Sequence, residues 1–436
     1  MKREEWKSAA GFLLASIGSA VGLGSIWRFP YIFSHYGKGN FLFAYIISVI
    51  FFGLPLMFLE FASGRKFKGS VTTVFAKLNS KLKWLSLLPI IVVFFILSYY
   101  IVIVGWVFGY FINSFLMIEI DFAQYSSSMF PTISTLLSLI ISSAIVYFGI
   151  EKGIERFSKI FMPLFFVILL IMFVFVLTLP NAYKGVGDYF KINFSDMIDG
   201  KVWLFAVSQA LFSLSLGSGI MITYGSYLSR KENIPVSSLI IALSVIFTAL
   251  LNSIIIFSFI HSSKEIVSGS KLAFEVMPKI FSEISLGNVM QVLFFSLTFI
   301  AGLTSAISMK EVLVAFLVDE LKLERKISLT VLFFALLILS ISISLNYSGF
   351  FLEKINLLEK LDFIFGGLML ILSSILTSLV LSWNWNTKSL IEEVDIKLEN
   401  VNKKLDKFVE RDVFLLLVRF ILPFVLLLLL LSEVGI

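Results

Sequence analysis

Gly18-Ser19-Ala20-Val21-Gly22-Leu23-Gly24-Ser25-Ile26-Trp27-Arg28-Phe29-Pro30 sets glycines, small polar residues and an arginine inside an apolar run long enough to cross a membrane. A lipid-facing helix gains nothing from Gly22 and Gly24, which weaken it, and Arg28 costs about 2.5 to 3.5 kcal/mol at mid-bilayer on insertion scales. Irregular backbone at that depth survives only where it is buried in protein or lines a watery cavity. The stretch therefore predicts a helix broken around a site, although Gly18 and Gly22, four residues apart, also suit close helix packing.

With 58% hydrophobic residues, 15% charged residues and a mean hydropathy of +0.97 over 436 residues, the chain reads as an all-α polytopic membrane protein. Apolar runs lie near residues 8–33, 40–65, 84–117, 131–149, 157–180, 200–229, 234–262, 287–318, 326–346, 361–386 and 412–432, each long enough for about 30 Å of hydrocarbon. The net charge of +6 does not point to nucleic acid, because the basic residues sit mainly in short loops between these runs, where they act as topology signals. Basic residues at 2–7, 65–83, 152–159 and 230–231, Lys310, and those at 322–326 and 388–411 place the N-terminus in the cytoplasm of a cell (plasma or inner) membrane. An odd number of spans then puts residues 432–436 outside. The start, Met1-Lys2-Arg3-Glu4-Glu5, lacks a cleavable signal pattern, so the first span itself directs insertion. The lack of cysteine excludes disulfides, thiolate catalysis and iron–sulfur sites.

A second interruption, Phe212-Ser213-Leu214-Ser215-Leu216-Gly217-Ser218-Gly219, falls in the sixth span, five after the first. Broken helices at matching places in successive five-helix units point to an inverted-repeat transporter with its site at the midplane. Half-helix ends carry partial charges, positive at N-termini and negative at C-termini, that suit a carboxylate and a cation. Ala301-Gly302-Leu303-Thr304-Ser305-Ala306 adds two adjacent hydroxyls deep in the eighth span; they suit a hard cation, or bond back to their own helix. Residues 268–285 predict a short external amphipathic helix, with its apolar pattern ending at Pro278, able to act as a lid. Residues 391–411 alternate charges at helical spacing and predict a solvated cytoplasmic helix.

In these residues the chain resembles the neurotransmitter:sodium symporter family, and within it the bacterial and archaeal amino-acid transporters like the leucine transporter. The motifs are Trp27-Arg28-Phe29-Pro30-Tyr31, Gly53-Leu54-Pro55-Leu56-Met57-Phe58-Leu59-Glu60, Ser213-Leu214-Ser215-Leu216-Gly217, Thr223-Tyr224-Gly225-Ser226-Tyr227 and Ala301-Gly302-Leu303-Thr304-Ser305. The resemblance runs nearly through the tenth span. It implies a LeuT-like 5+5 inverted-repeat bundle with helices 1 and 6 broken, plus an eleventh transmembrane helix. Residues 1–183 form the first five-helix repeat and 184–390 the second, with an external lid loop at 263–286; 391–411 is a cytoplasmic linker helix and 412–436 the last span.

The same resemblance implies residue roles. One sodium site uses the carbonyls of Gly18, Val21 and Ala301 with the hydroxyls of Thr304 and Ser305. The other uses Ala20, Ser25, Ser213 and Asn252 with the substrate carboxylate; Ser25 stands where the leucine transporter has asparagine, so its occupancy is open. The substrate pocket comprises Ala20, Leu23, Gly24, Ile96, Tyr100, Phe212, Ser213, Ser215, Ser218, Ser305 and Met309. Tyr100 donates its phenol to the carboxylate and Phe212 closes over the ligand. Gly22, where monoamine members carry aspartate, implies an amino acid. Ser218, in place of a phenylalanine, opens room for a larger side chain, so neutral hydrophobic amino acids are expected. Arg28 and Asp362 are the external gate, Arg3 and Asp319 the cytoplasmic one, with Trp6, Ser226 and Tyr227 around the latter; without the resemblance Arg3 and Asp319 are ordinary loop charges.

Glu60 is expected to bond backbone amides at the breaks. Ile256 stands where chloride-dependent members have serine, so Na+ is the expected ion, one or two per cycle, and no chloride. Gly153 and Pro163 resemble a signature for local unwinding, or are a plain kink. A homodimer remains open, without a twelfth helix for its contact. The partners implied are an amino acid, sodium and membrane lipid. No enzyme is expected: His35 and His261 lie at span ends and no metal-ligand spacing occurs. The mechanism implied is sodium-coupled import by alternating access; proton coupling, exchange and a transport-inactive amino-acid sensor with the same pocket are the alternatives.

Overall fold

The computed structural model describes residues 3–35, 39–118, 120–179, 191–192, 200–260, 272–351, 355–394 and 405–434. Two short helices, α1 (Ala9–Ala20) and α2 (Phe29–His35), make up the first run. After them come α3 (Gly39–Phe67), α4 (Ser80–Phe115), α5 (Phe130–Tyr147) and α6 (Ile150–Leu177). The sixth run is again split, into α7 (Gly200–Ser213) and α8 (Ile220–Ser226). It is followed by α9 (Ile234–Ile260), α10 (Gly287–Leu321), α11 (Arg325–Tyr347), α12 (Leu357–Asn384) and α13 (Arg411–Glu433). Nine helices among the described residues are long and apolar enough to cross a membrane; the split pairs α1–α2 and α7–α8 supply the other two spans.

Burial sorts these helices. The window of α10 is 78% buried and that of α6 only 33%, so α10 is the central post and α6 an outer one. Leucine and phenylalanine side chains on the outer faces, such as Leu164, Leu170 and Phe334, are exposed, as a lipid-facing surface requires. The post α10 packs against α1, α4, α5, α6 and α11, while α3 lies along both halves of the second broken helix.

The first break is shorter than the glycine pattern suggests. Only Val21 and Gly22 leave the helix, and Gly24–Arg28 continues as a π-turn that widens the coil before α2. The second break runs from residue 214 to 219 through left-handed backbone at Ser215, Gly217 and Gly219. Its freed polar groups are met by neighbours: the Gly217 amide donates to Glu60 Oε1 at 2.7 Å, and Ser373 Oγ donates to the Gly217 carbonyl at 2.6 Å. Glu60, wholly buried, thus bonds a backbone amide at the second break.

Three expectations change in detail. The helix expected to end at Pro278 instead continues as Leu272–Val276 and Met277–Glu283, because proline at the second position of a helical turn forfeits no needed N–H. Phe274 from this segment packs on Tyr110 and Phe122, 5.1 and 5.4 Å away, so it is seated on the α4 side of the bundle. Gly153 does not unwind α6; it lies in a π-turn, Ile150–Glu155, where a Cβ would come within 2.1 Å of the Ile145 carbonyl. The linker helix starts earlier than expected, as Thr387–Val394, and helix resumes at Leu405; residues 395–404 of that expectation lie outside the described residues.

Candidate functional site

Thr304 and Ser305 project from the middle of α10 onto the end of α1. Thr304 Oγ1 donates to the Gly18 carbonyl at 2.7 Å and lies 2.9 and 3.0 Å from the carbonyls of Ile300 and Ala301. Ser305 Oγ stands 3.0 Å from the Ser19 carbonyl, 3.2 Å from Ala301 and 3.4 Å from Gly18. Val21, at φ −83° and ψ 71°, turns out of the helix beside them. Each hydroxyl thus bonds its own helix and also reaches across to α1. The cluster is uncharged and all oxygen, the donor set a hard cation takes.

The second predicted cation set is looser. Ser213 Oγ donates to the Gln209 carbonyl at 2.6 Å and shares a hydrogen bond with the Tyr45 hydroxyl at 2.9 Å. Ser25 Oγ, Asn252 Nδ2 and Gln209 Oε1 are buried without a hydrogen-bond partner among the described residues. An unmet buried polar atom costs about 1 to 3 kcal/mol, so an oxygen such as Ser25 Oγ has lone pairs to offer an ion. Gln209, absent from the sequence-derived set, reaches the Gly24 carbonyl through Nε2 at 3.4 Å. It is the one amide side chain of α7, which was the available signal.

Between the two breaks lies a cavity of about 60 Å³. All eleven residues predicted for the substrate pocket line it, and Val93, Leu211, Leu216, Ile220 and Leu370, which sequence reasoning missed, complete its apolar wall. Tyr100 accepts the Leu23 amide at 3.3 Å, and Ser305 is a further hydrogen-bond neighbour of its hydroxyl. Ser215 Oγ donates to the Ser19 carbonyl at 2.9 Å and so ties the two breaks together. The glycines of the first break make room: a Cβ on Gly22 would sit 2.7 Å from Ser305 Oγ, and one on Gly24 2.3 Å from the Phe212 ring. A side chain as large as aspartate at position 22 has no space here.

The cavity is closed at both ends. At the N-terminal end Arg3 Nη1 meets Asp319 Oδ2 at 2.7 Å, Arg3 Nε donates to Ser226 Oγ at 2.9 Å, and the guanidinium lies 4.8 Å from the Tyr227 ring centroid. Burial alone lowers the Arg3 pKa, but the facing Tyr227, Asp319 and Glu311 outweigh it and raise it. Trp6 fastens the same segment, donating from Nε1 to the Tyr224 carbonyl at 3.0 Å. A hydrogen bond and the charge of Glu151 raise the pKa of Lys7 nearby. At the opposite end the Arg28 guanidinium covers Phe212, 4.6 Å from its ring centroid, and Asp362 accepts the Tyr99 hydroxyl at 2.8 Å. Arg28 and Asp362 are not joined by an ion pair within 4.0 Å among the described residues; Phe212 and Tyr99 stand as their direct contacts.

Comparison with known proteins agrees with this geometry. A family model described as the sodium:neurotransmitter symporter family matches residues 3–131 and 116–434. An uncharacterized sodium-dependent transporter of Methanocaldococcus jannaschii is 32% identical over 422 residues, covering 91% of this chain and 85% of that protein. The sodium-dependent neutral amino acid transporter B(0)AT1 of Mus musculus is 29% identical over 59% of this chain and 46% of its own length. The crystal structure of MhsT in complex with L-phenylalanine superposes with a TM-score of 0.87 at 33% identity, covering 99% of this chain and 100% of the other.

Proposed function

Because the chain belongs to the sodium:neurotransmitter symporter family and has the LeuT fold, we propose that it imports neutral, mainly hydrophobic amino acids across the cell membrane, driven by sodium. The observation that carries the reading is the meeting of Thr304 and Ser305 with the Gly18 carbonyl beside a closed, largely apolar cavity. The N-terminal end, with Arg3 and Asp319, faces the cytoplasm, as its basic loops require.

Sodium, as co-substrate, is held by the carbonyls of Gly18, Val21 and Ala301 and the hydroxyls of Thr304 and Ser305. Those ligands come from α1 and α10, so the ion favours whichever conformation keeps the two together; an ion with equal affinity for both conformations would shift nothing. Ala20, Ser25, Ser213 and Asn252 form the second, weaker site, since the serine hydroxyl is shorter than an amide. The amino-acid carboxylate meets the Tyr100 O–H. Its side chain lies toward Ser218, Met309 and the apolar wall, with Phe212 across it. Entry moves Phe212, which Arg28 covers at one end of the cavity. Release to the cytoplasm requires the Arg3–Asp319 pair to part.

The test is uptake of labelled leucine, phenylalanine, tryptophan, alanine and glycine into proteoliposomes, with an inward sodium gradient or with potassium in its place. Concentrative uptake of the larger apolar amino acids under the sodium gradient alone is expected. Sodium-independent uptake overturns the coupling, and binding without uptake makes the protein a sensor.

A further inference from the structure

Lys310 lies on α10 one residue beyond the pocket wall at Met309, with 0% of its surface exposed. Its Nζ donates to Ser142 Oγ at 2.6 Å, Ser143 Oγ at 2.7 Å and the Leu139 carbonyl at 3.3 Å, all on α5. These are three acceptors for the three N–H bonds of an ammonium. No carboxylate stands within 4.0 Å of it among the described residues. Helices α1 and α5 carry no charged residue, and the two on α4, Lys81 and Lys83, lie in its first turn, Lys83 paired with Glu320; of the α4 tyrosines, Tyr99 bonds Asp362 and Tyr100 takes the Leu23 amide. Those charged groups of α6 and α11 that lie toward this end are engaged: Lys159 on Glu155, and Arg325 on Glu311 and the Val146 carbonyl. The neighbouring Glu311 accepts Arg325 and the Tyr227 hydroxyl, so its charge is taken up there.

The serines allow more than one protonation state. Ser142 and Ser143 both send their own protons to the Leu139 carbonyl, at 3.1 and 2.6 Å, and so present lone pairs to the nitrogen. A hydroxyl rotates to suit its partner; turned the other way, either serine donates to a neutral amine. Ser143 also lines a groove of about 400 Å³ between α5 and α11, with Tyr147 and Thr330 among its walls. The Lys326 ammonium lies 5.5 Å from the Tyr147 ring centroid at that end of the groove. Ser143 thus stands between the groove and the buried nitrogen.

We propose that Lys310, Ser142 and Ser143 form an intramembrane proton-binding site, reached from the cytoplasmic side through the α5–α11 groove, whose occupancy sets how firmly α5 is fastened to α10. The exchange is a simple proton transfer: Lys310 ammonium yields its proton through Ser143 to water in the groove, and one serine reverses its hydrogen bond to donate to the amine. Intramembrane ionisable residues of this kind mark proton relays and ion pathways. The inference rests on the sodium-symport reading only for its effect on transport.

Two measurements keep the two readings apart. In purified protein, the thermal midpoint is followed against pH for the wild type, Lys310→Met and Ser143→Ala. The wild-type profile should carry a transition that Lys310→Met loses and Ser143→Ala moves along the pH axis. In proteoliposomes, sodium-driven uptake is followed as internal pH is stepped at fixed external pH, with loss of that dependence expected in Lys310→Met. If Lys310→Met does not fold, Ser143→Ala still decides by the displaced transition. Identical pH profiles in wild type and in whichever variants fold overturn the proton site, leaving Lys310 a permanent tether. Absence of uptake in the wild type defeats the symport reading and leaves the midpoint measurement standing.

Discussion

Between Val21 and Leu23 the backbone leaves the helix without entering the left-handed region, whereas between residues 213 and 220 it enters it three times, at Ser215 (φ 55°), Gly217 (φ 72°) and Gly219 (φ 77°). Glycine therefore does different work in the two breaks. Gly22 and Gly24 make room, so that Ser305, Tyr100 and Phe212 can close on the chain. Gly217 and Gly219 carry a backbone conformation that side chains resist. The second break is also braced by Glu60 and Ser373, groups built into its neighbours. The first leans on hydroxyls of α10 that are also the candidate sodium ligands. One break is held by the fold, the other by contacts an ion can replace.

The largest effect should come from Gly217→Ala. A left-handed alanine costs about 1 to 2 kcal/mol, and crowding adds about 1 to 3 kcal/mol. Its Cβ would stand 1.9 Å from Ser374 Oγ. A fall in thermal midpoint and loss of folded protein are expected, while Gly22→Ala should keep the midpoint and lose uptake. Equal destabilisation by both would erase the distinction between the breaks.

Thr304→Ala with Ser305→Ala should weaken the apparent sodium affinity about 100-fold, at about 1.5 kcal/mol per lost ligand, with less effect on sodium-free stability. Sodium titration of uptake measures it; an unchanged curve would move the ion elsewhere. Glu60→Ala should cost about 1 to 3 kcal/mol by orphaning the Gly217 amide. Glu60→Gln, which keeps an oxygen for that amide, should recover most of it in the same thermal assay, and failure to do so would mean that the carboxylate acts otherwise. The smallest change is Ser218→Phe, expected to shift preference from tryptophan toward leucine by about ten-fold in competition uptake, the scale of a pocket steric contact. An unaltered ranking would remove Ser218 from the substrate wall.

Much of the site could be read before folding. Arg28, the paired glycine-rich breaks and the adjacent hydroxyls Thr304 and Ser305 violate the pattern of a lipid-facing helix, and each violation lies at the cavity or its rim. Val93 and Leu370 could not be found that way, and Gln209 offered only its lone amide as a signal. A single amide or a valine in an apolar run breaks no rule, and only packing brings α4, α7 and α12 to one cavity. Lys310 reads in the sequence as one of the cytoplasmic topology charges, whereas the structure buries it inside α10, because its acceptors lie about 170 residues away on α5.

Local chemistry along the chain determined that it spans a membrane, where two spans break and which residues offer oxygen to a cation, because hydropathy, glycine and hydroxyl patterns are properties of consecutive residues. The tertiary structure alone decided which break Glu60 braces, that Arg28 covers Phe212 while Asp362 takes the Tyr99 hydroxyl, and that Lys310 faces three acceptors on α5. Those are distances of a few ångströms between helices far apart in sequence, set by how side chains of particular size interlock and by nothing in the order of the residues themselves.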